Sequence, residues 1–253
     1  MRSIIIKNKK IAKKILIFLF WVCIWEVSHR VIGRDIYVPS PFSVLVTLRE
    51  LIVQPVFWKT IVFSIYRVLI GLGWSILVGI TVGTICSINS YLYDLIHPLI
   101  IIIKSTPVLS FIIIALIWLS SSNVPIFICF LMCFPIIWTN VVAGIRNVDV
   151  KLLQMARIYG VSRFNIVKKI YLPSIKPYLT AACLTSLGLG WKVSVAAEVL
   201  SHPRNAIGSQ LYGAKVYLDS SGVFAWTFVV IVLSVIFENV FNRFIGKGNI
   251  NVK

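Results

Sequence analysis

Residues 68–88 read VLIGLGWSILVGITVGTICSI, a run without one charged side chain. A bilayer core takes about 20 apolar residues as helix, so this stretch is expected to cross a membrane. Gly71, Ser75, Gly79 and Gly83 recur every fourth residue and share one helical face. Small residues at that spacing let a second helix backbone come close, which is how helices associate where lipid removes the hydrophobic drive between them. The face is expected to pack on another helix, within the subunit or across a dimer. Leucine at Gly79 should block that approach, and alanine should be tolerated there.

Working outward, five more apolar runs appear. They cover Ile11–Ser28, about Leu95–Leu119 (broken by Lys104 and Pro107), Val124–Ile145, Pro177–Ala197 and Gly222–Asn242. The first follows a basic start and has no small-x-small cleavage site, so it is expected to remain as a span rather than leave as a signal peptide. Composition agrees: 58% of the 253 residues are hydrophobic, 13% are charged, and mean hydropathy is +0.93. Soluble domains average roughly 45–50% and about 25%. No compact soluble fold of this size hides so much apolar surface, which excludes a soluble enzyme, a disordered chain and a secreted disulfide scaffold. The expected class is all-α, a polytopic integral membrane protein of about six transmembrane helices.

The net charge of +17 comes from 25 Lys and Arg against 8 Asp and Glu. These cations cluster in short segments between apolar runs, so anionic headgroups rather than nucleic acid are the expected counter-charge. With the N-terminus inside, six basic residues lie at the start (within residues 1–14), seven lie between the fourth and fifth spans, and three follow the sixth. The outer segments hold only four (Arg30, Arg34, Arg49, Lys59) and two (Arg204, Lys215). That bias puts both termini in the cytoplasm of a multi-pass protein of the cell (inner) membrane. The domain plan is one transmembrane domain over 1–253, with a basic cytoplasmic start 1–14, a cytoplasmic loop 146–176 and a tail 243–253. The five cysteines sit in apolar runs and read as small hydrophobes, and three scattered histidines suggest no metal site.

The loop reads RNVDVKLLQMARIYGVSRFNIVKKIYLPSIK from Arg146 to Lys176. Asp149 can cap a helix running to Tyr159, and Gly160 suits the left-handed position that ends one. Ser162 can cap a second short helix, expected to stop before Pro173. Leu152, Leu153, Ala156 and Tyr159 are expected on one side, with Arg157, Arg163, Lys168 and Lys169 supplying charge. Physics alone leaves two possibilities, a surface for a cytoplasmic partner or an amphipathic loop resting on anionic lipid.

The order Gln154, Met155, Ala156, three residues, Gly160, nine residues, Ile170, one residue, Leu172 and Pro173 resembles the EAA loop of binding-protein-dependent ABC importer permeases. That motif reads E-A-A, three residues, G, nine residues, I, one residue, L-P. Leu153, Arg157, Tyr159 and Ser162 belong to the same stretch, while Gln154 and Met155 depart from the motif's glutamate and first alanine. Val38, Pro39, Ser40 and Pro41 with Val44 resemble the L-P-S-P-x-x-V segment of the nitrate/sulfonate/taurine-type subfamily. Ser64 to Val68 with Gly71 resembles its S-L-x-R-V-x-x-G. Lys104 and Pro107 sit where that group often has a basic residue and a proline, and Ala197 with Glu198 looks like its alanine–glutamate pair closing the fifth span.

The resemblance implies a type I ABC importer permease fold and the transmembrane permease subunit of an ATP-driven importer. It implies a translocation pathway for a small solute, such as a sulfonate, taurine or nitrate, delivered by an external binding protein. Implied partners are a cytoplasmic ABC ATPase holding ATP and Mg, that binding protein, and a second permease copy in a homodimer. The sequence agrees on one independent point: it carries no G-x-x-x-x-G-K-[ST] phosphate loop, so no cofactor is expected in this chain. The competing class is an ion-coupled secondary transporter or channel, but Glu26 and Glu238 lie towards span ends and no inverted repeat is visible. An enzyme is a third class, without paired carboxylates, histidine cluster or nucleophile triad to support it. Arg67, Lys104 and Lys192 sit in or at the edges of spans with no acid nearby in sequence. Carbonyl pairing or snorkelling is the expectation for Arg67. For Lys104 and Lys192 a cationic lining stands equally. Lys104, Pro107, Lys192 and Glu198 are thus the candidate pathway residues, although for Pro107 and Pro135 a plain kink is the first expectation.

Overall fold

The structure, a computed structural model, describes residues 2–246. Most of the expected tail, residues 247–253, lies outside the described residues. Among those described every regular element is helical: α1 (Arg2–Ile32), α2 (Pro41–Val53), α3 (Pro55–Ile88), α4 (Ser90–Ser105), α5 (Val108–Trp118), α6 (Val124–Arg146), α7 (Val150–Ile158), α8 (Arg163–Ile166), α9 (Leu172–Ser201), α10 (Ile207–Val216) and α11 (Ser220–Gly246). A π-helical turn, Val167–Tyr171, joins α8 to α9.

Five helices are long and apolar enough to cross a bilayer: Ile15–Ile32 within α1, α3, α6, the continuous stretch Arg163–Ser201, and Ser220–Phe241 within α11. The expected third span departs from a straight run. α4 and α5 meet at a bend of 105°, so that pair is a broken span or a re-entrant loop. Thr106 is extended there, at ψ 135°, as the residue before a proline prefers to be, and Pro107 opens α5. At 16 and 11 residues, α4 and α5 reach only about 24 and 17 Å at 1.5 Å per residue. Neither alone crosses the ~30 Å hydrocarbon core.

The expectation that the second loop helix stops before Pro173 is also corrected. Proline lacks the N–H that an α-helix needs, but the turn before it is π-helical, with Leu172 N–H reaching back to Val167 O. The widened turn carries the chain past Pro173 into α9 without a break.

Among the described residues the chain packs as two compact units, one of 2–59 with 210–230, the other of 60–209 with 231–246. In the first, Trp25 Nε1 donates to Pro39 O at 3.0 Å and stacks on Phe224, Phe57 packs on Trp226, and Ser40 caps α2 by accepting from Ser43 N–H. α1 buries nothing of its apolar window in this chain, and Cys23 on it is exposed, unlike the other four cysteines.

The second unit is organised on α6, buried along most of its length. α9 and α5 enclose one core cluster with it (Ile112, Ala115, Val124, Ile128, Met132, Val193, Ala197). Along α3 the small-residue face lies on α6. A Cβ on Gly71 would stand 2.6 Å from Ile126 O, and one on Gly79 would stand 2.6 Å from Ile137 Cγ2. Ser75 Oγ donates within reach of Gly71 O (2.8 Å) and Phe130 O (3.1 Å), and Gly83 faces Val141. Alanine at Gly79 is therefore not the mild change expected above, because even one methyl overlaps Ile137.

Candidate functional site

The 146–176 loop is built by local capping. Asp149 Oδ1 accepts from Lys151 N–H at 2.8 Å and opens α7. The helix closes at Gly160 (φ +63°), with Val161 N–H on Ala156 O at 2.9 Å and Gly160 N–H on Arg157 O at 3.1 Å. That pair of bonds is a Schellman motif, which needs a left-handed residue where only glycine is unstrained. Ser162 Oγ then accepts from Asn165 N–H and starts α8. The helical faces differ from expectation in one respect. Ala156 is buried and Leu153 half-buried, whereas Met155, Ile158 and Tyr159 join Leu152 and Phe164 in an exposed apolar patch. Gln154, Arg157, Leu172 and Pro173 are exposed, and Ile170 is half-buried. Ile158 at 83% and Tyr159 at 78% exposure are not residues that water alone would select for a loop tip.

Among the pathway candidates, Glu198 occupies a different place from the one expected. It is fully buried and pairs with Arg67, Nη1 to Oε1 at 3.0 Å. Ser64 Oγ and Gly208 N–H both donate to its Oε2, at 2.9 and 3.1 Å. Arg67 spends its other donors on the carbonyls of Arg204 (2.9 Å) and Asn205 (3.2 Å), and Ser64 Oγ also accepts from Ile207 N–H (3.0 Å). Charge and hydrogen bonds are thus satisfied together, as a buried pair requires. Glu198 is a tie between α3, the end of α9 and the segment leading into α10, not a wall open to solute. Carbonyl pairing at Arg67 is as expected, and its acidic partner was the missing element.

Lys104 and Lys192 lie in separate cavities. Lys104 Nζ donates to Thr139 Oγ1 at 2.9 Å, beside Trp138 and Arg146, in a cavity of about 350 Å³ between α4 and α6. Lys192 lines another of about 330 Å³ with Thr185, Ser234 and Glu238. Pro107 sits at the α4–α5 bend next to neither. No group of three or more His, Cys, Asp or Glu able to hold a metal occurs among the described residues.

Residues 75–247 match the model of the family described as binding-protein-dependent transport system inner membrane component. The chain belongs to that family. It is thus a multi-pass transport component with the fold of an ABC importer permease. It is 23% identical over 220 residues to the taurine transport system permease protein TauC of Escherichia coli strain K12, covering 85% of this chain and 80% of that one. It is 29% identical over 214 residues to the nitrate import permease protein NrtB of Synechococcus elongatus, covering 79% and 76%. Among solved structures it resembles the inward-facing MetNI methionine ABC transporter, with TM-score 0.62 at 16% identity, over 79% of this chain and 97% of that one.

Proposed function

We propose that this chain is the transmembrane permease subunit of an ATP-driven importer for a small anion. A separate cytoplasmic ATPase holds ATP and Mg, an extracytoplasmic binding protein delivers the solute, and a second copy of the permease completes the pathway. The observation that carries the reading is the loop from Asp149 to Pro173. It is a capped helix pair with an exposed apolar tip and a basic surround, and it runs without a break into the membrane-crossing α9. A patch seated on that tip can tilt α9 directly, because the connecting turn is helical rather than slack. The anion follows from two lines of support. Two of the similar proteins are named for taurine and nitrate transport, and Lys104 sits in a cavity whose described lining holds no carboxylate. The charge bias supports a cytoplasmic loop and cytoplasmic termini.

The test is Gly160→Val. Nothing lies within 4 Å of where a Cβ would go, so its effect is confined to the left-handed backbone. The two short helices should change their mutual tilt while the spans insert as before. An interface of a few contacts that loses ~2 kcal/mol weakens roughly 30-fold. Normal membrane abundance with lost ATPase co-purification or lost uptake supports the coupling role. Normal abundance with full ATPase capture and full uptake overturns it and leaves the loop as a lipid-surface helix.

A further inference from the structure

The cavity between α4 and α6 is built from two facing stripes. α4 contributes Tyr93, His97 and Lys104, and α6 contributes Trp138, Thr139 and Arg146, each set spaced along one helical face. Tyr93 lies parallel to His97 and to Trp138, with ring centroids 5.1 and 5.4 Å apart. The Arg146 guanidinium rests on the Tyr93 ring, its carbon 3.8 Å from the centroid. At the other end Lys104 donates to the Thr139 hydroxyl, which itself donates to Pro135 O at 2.6 Å.

Two features suit this wall to an anionic guest. Its charge is one-sided: Lys104 and Arg146 line it and no Asp or Glu does. Both cations are exposed, and two like charges facing one space favour the entry of a counter-charge. Lys104 meets only a neutral hydroxyl with one of its three N–H groups, and an Arg stacked by its face presents its N–H edges to the side. The second feature is the aromatic wall, where Trp138, 2% exposed, backs the Tyr93 ring. The cavity volume of about 350 Å³ falls in the ordinary range for small-ligand sites, ~300–1,000 Å³. Thr139 and Arg146 are seven residues apart on α6, about 10 Å along its axis, so the occupant is extended.

We infer that this cavity is a binding site for an organic anion, its sulfonate or phosphate group held at Lys104, with Arg146 flanking the other end and the Tyr93–Trp138 stack as its floor. One chemistry has two sources here. An anionic phospholipid can bring its phosphodiester in from the bilayer, since basic pockets between spans take such headgroups. A soluble organic anion is the second source, and only in that case does the site rest on the import reading above.

The experiment uses the full chain, purified without ATPase in a neutral detergent, so that failure of the site and failure of the coupling loop are read separately. Thermal unfolding midpoints are followed while phosphatidylglycerol is titrated against phosphatidylcholine, and methanesulfonate against chloride at equal ionic strength. The anionic probe should raise the midpoint. The half-saturating concentration should rise roughly tenfold or more in Lys104→Gln, the loss of one charge-assisted contact, and by less in Arg146→Gln at the other end. Arg49→Gln, an exposed cation on α2, should titrate like wild type. A response to phosphatidylglycerol alone makes the source lipid, and a response to methanesulfonate makes it soluble. The two variants sit at opposite ends of the cavity, so misfolding of one leaves the other to read. No response beyond the neutral or chloride control, or variants that titrate like wild type, overturns the site.

Discussion

Glu198 is fully buried near the end of α9, and each oxygen of its carboxyl group is answered. Arg67 and Ser64 reach it from α3, and the Gly208 N–H reaches it from the start of α10. The packing is tight enough that a Cβ on Gly208 would come within 2.4 Å of Val199 N. Glu198→Gln keeps the shape and removes the charge, stranding Arg67. Removing one partner of a buried pair costs about 3–5 kcal/mol, so the variant should unfold at a clearly lower temperature in detergent. The double change Glu198→Gln with Arg67→Met strands no charge and should recover part of the loss. If the single variant melts like wild type, the pair contributes nothing. A second contrast lies on α3, where a Cβ on Gly73 meets nothing within 4 Å while one on Gly79 overlaps Ile137. Gly73→Ala should be neutral or gain up to about 1 kcal/mol of helix propensity, and Gly79→Ala should lower abundance in the membrane. Equal abundance of the two would mean α6 does not sit where described. The spacing of the small residues was visible in the sequence, whereas Ile137 as their counterpart was not. Arg67 and Glu198 were each visible too, but residues 131 apart declare their pairing only when folded.

Helix ends were the most legible elements. Asp149, Gly160 and Ser162 each sit at the boundary their chemistry dictates, because capping is local and needs no knowledge of the fold. Pro173 misled for the complementary reason. A proline forbids one α-helical hydrogen bond, and the chain avoided the conflict with a single π turn that leaves no mark in composition. The 105° bend after Thr106 belongs between these cases, since Pro107 marked a break and gave no angle. The inward and outward sides of α7 were also beyond the sequence, as its apolar residues surround most of the helix. That distinction now gives a test. Ile158→Glu places a charge on the exposed tip and should cut ATPase capture roughly tenfold while leaving membrane abundance intact, consistent with ~1.4 kcal/mol lost at a small interface. Ala156→Leu instead overfills a buried position and should cost ~1–3 kcal/mol in the loop itself. Its expected signature is faster hydrogen exchange across 150–158. If Ile158→Glu captures ATPase as wild type does, the partner sits elsewhere.

On the scale of the whole molecule the decisive quantity is orientation, for which the charge distribution gives an expectation and the packing gives none. α3 has 34 residues, about 51 Å of helix against a ~30 Å hydrocarbon core, and Arg163–Ser201 has 39, about 58 Å. Both must therefore tilt or project well into water, and the projecting ends are where labels can reach. The loop tip at Ile158 should face the cytoplasm, because it lies in the segment richest in Lys and Arg between two spans. Tyr37, between α1 and α2, and Tyr217, between α10 and α11, should face outward, and at 69% and 85% exposure both are open to a reagent. They are better reporters than Asn205, whose φ of +52° and carbonyl contact with Arg67 make replacement there a structural change. With the five native cysteines replaced, Tyr37→Cys and Tyr217→Cys should react with an impermeant maleimide on intact cells, and Ile158→Cys only after the membrane is opened. Six crossings, counting α4 with α5 as one, require that Tyr37 and Tyr217 agree. A result in which they differ would make the bent pair a re-entrant loop and reduce the crossings to five, moving one terminus to the other side. Labelling of Ile158→Cys on intact cells with Tyr37→Cys and Tyr217→Cys protected would invert the molecule, putting the apolar tip where no ATPase can reach it.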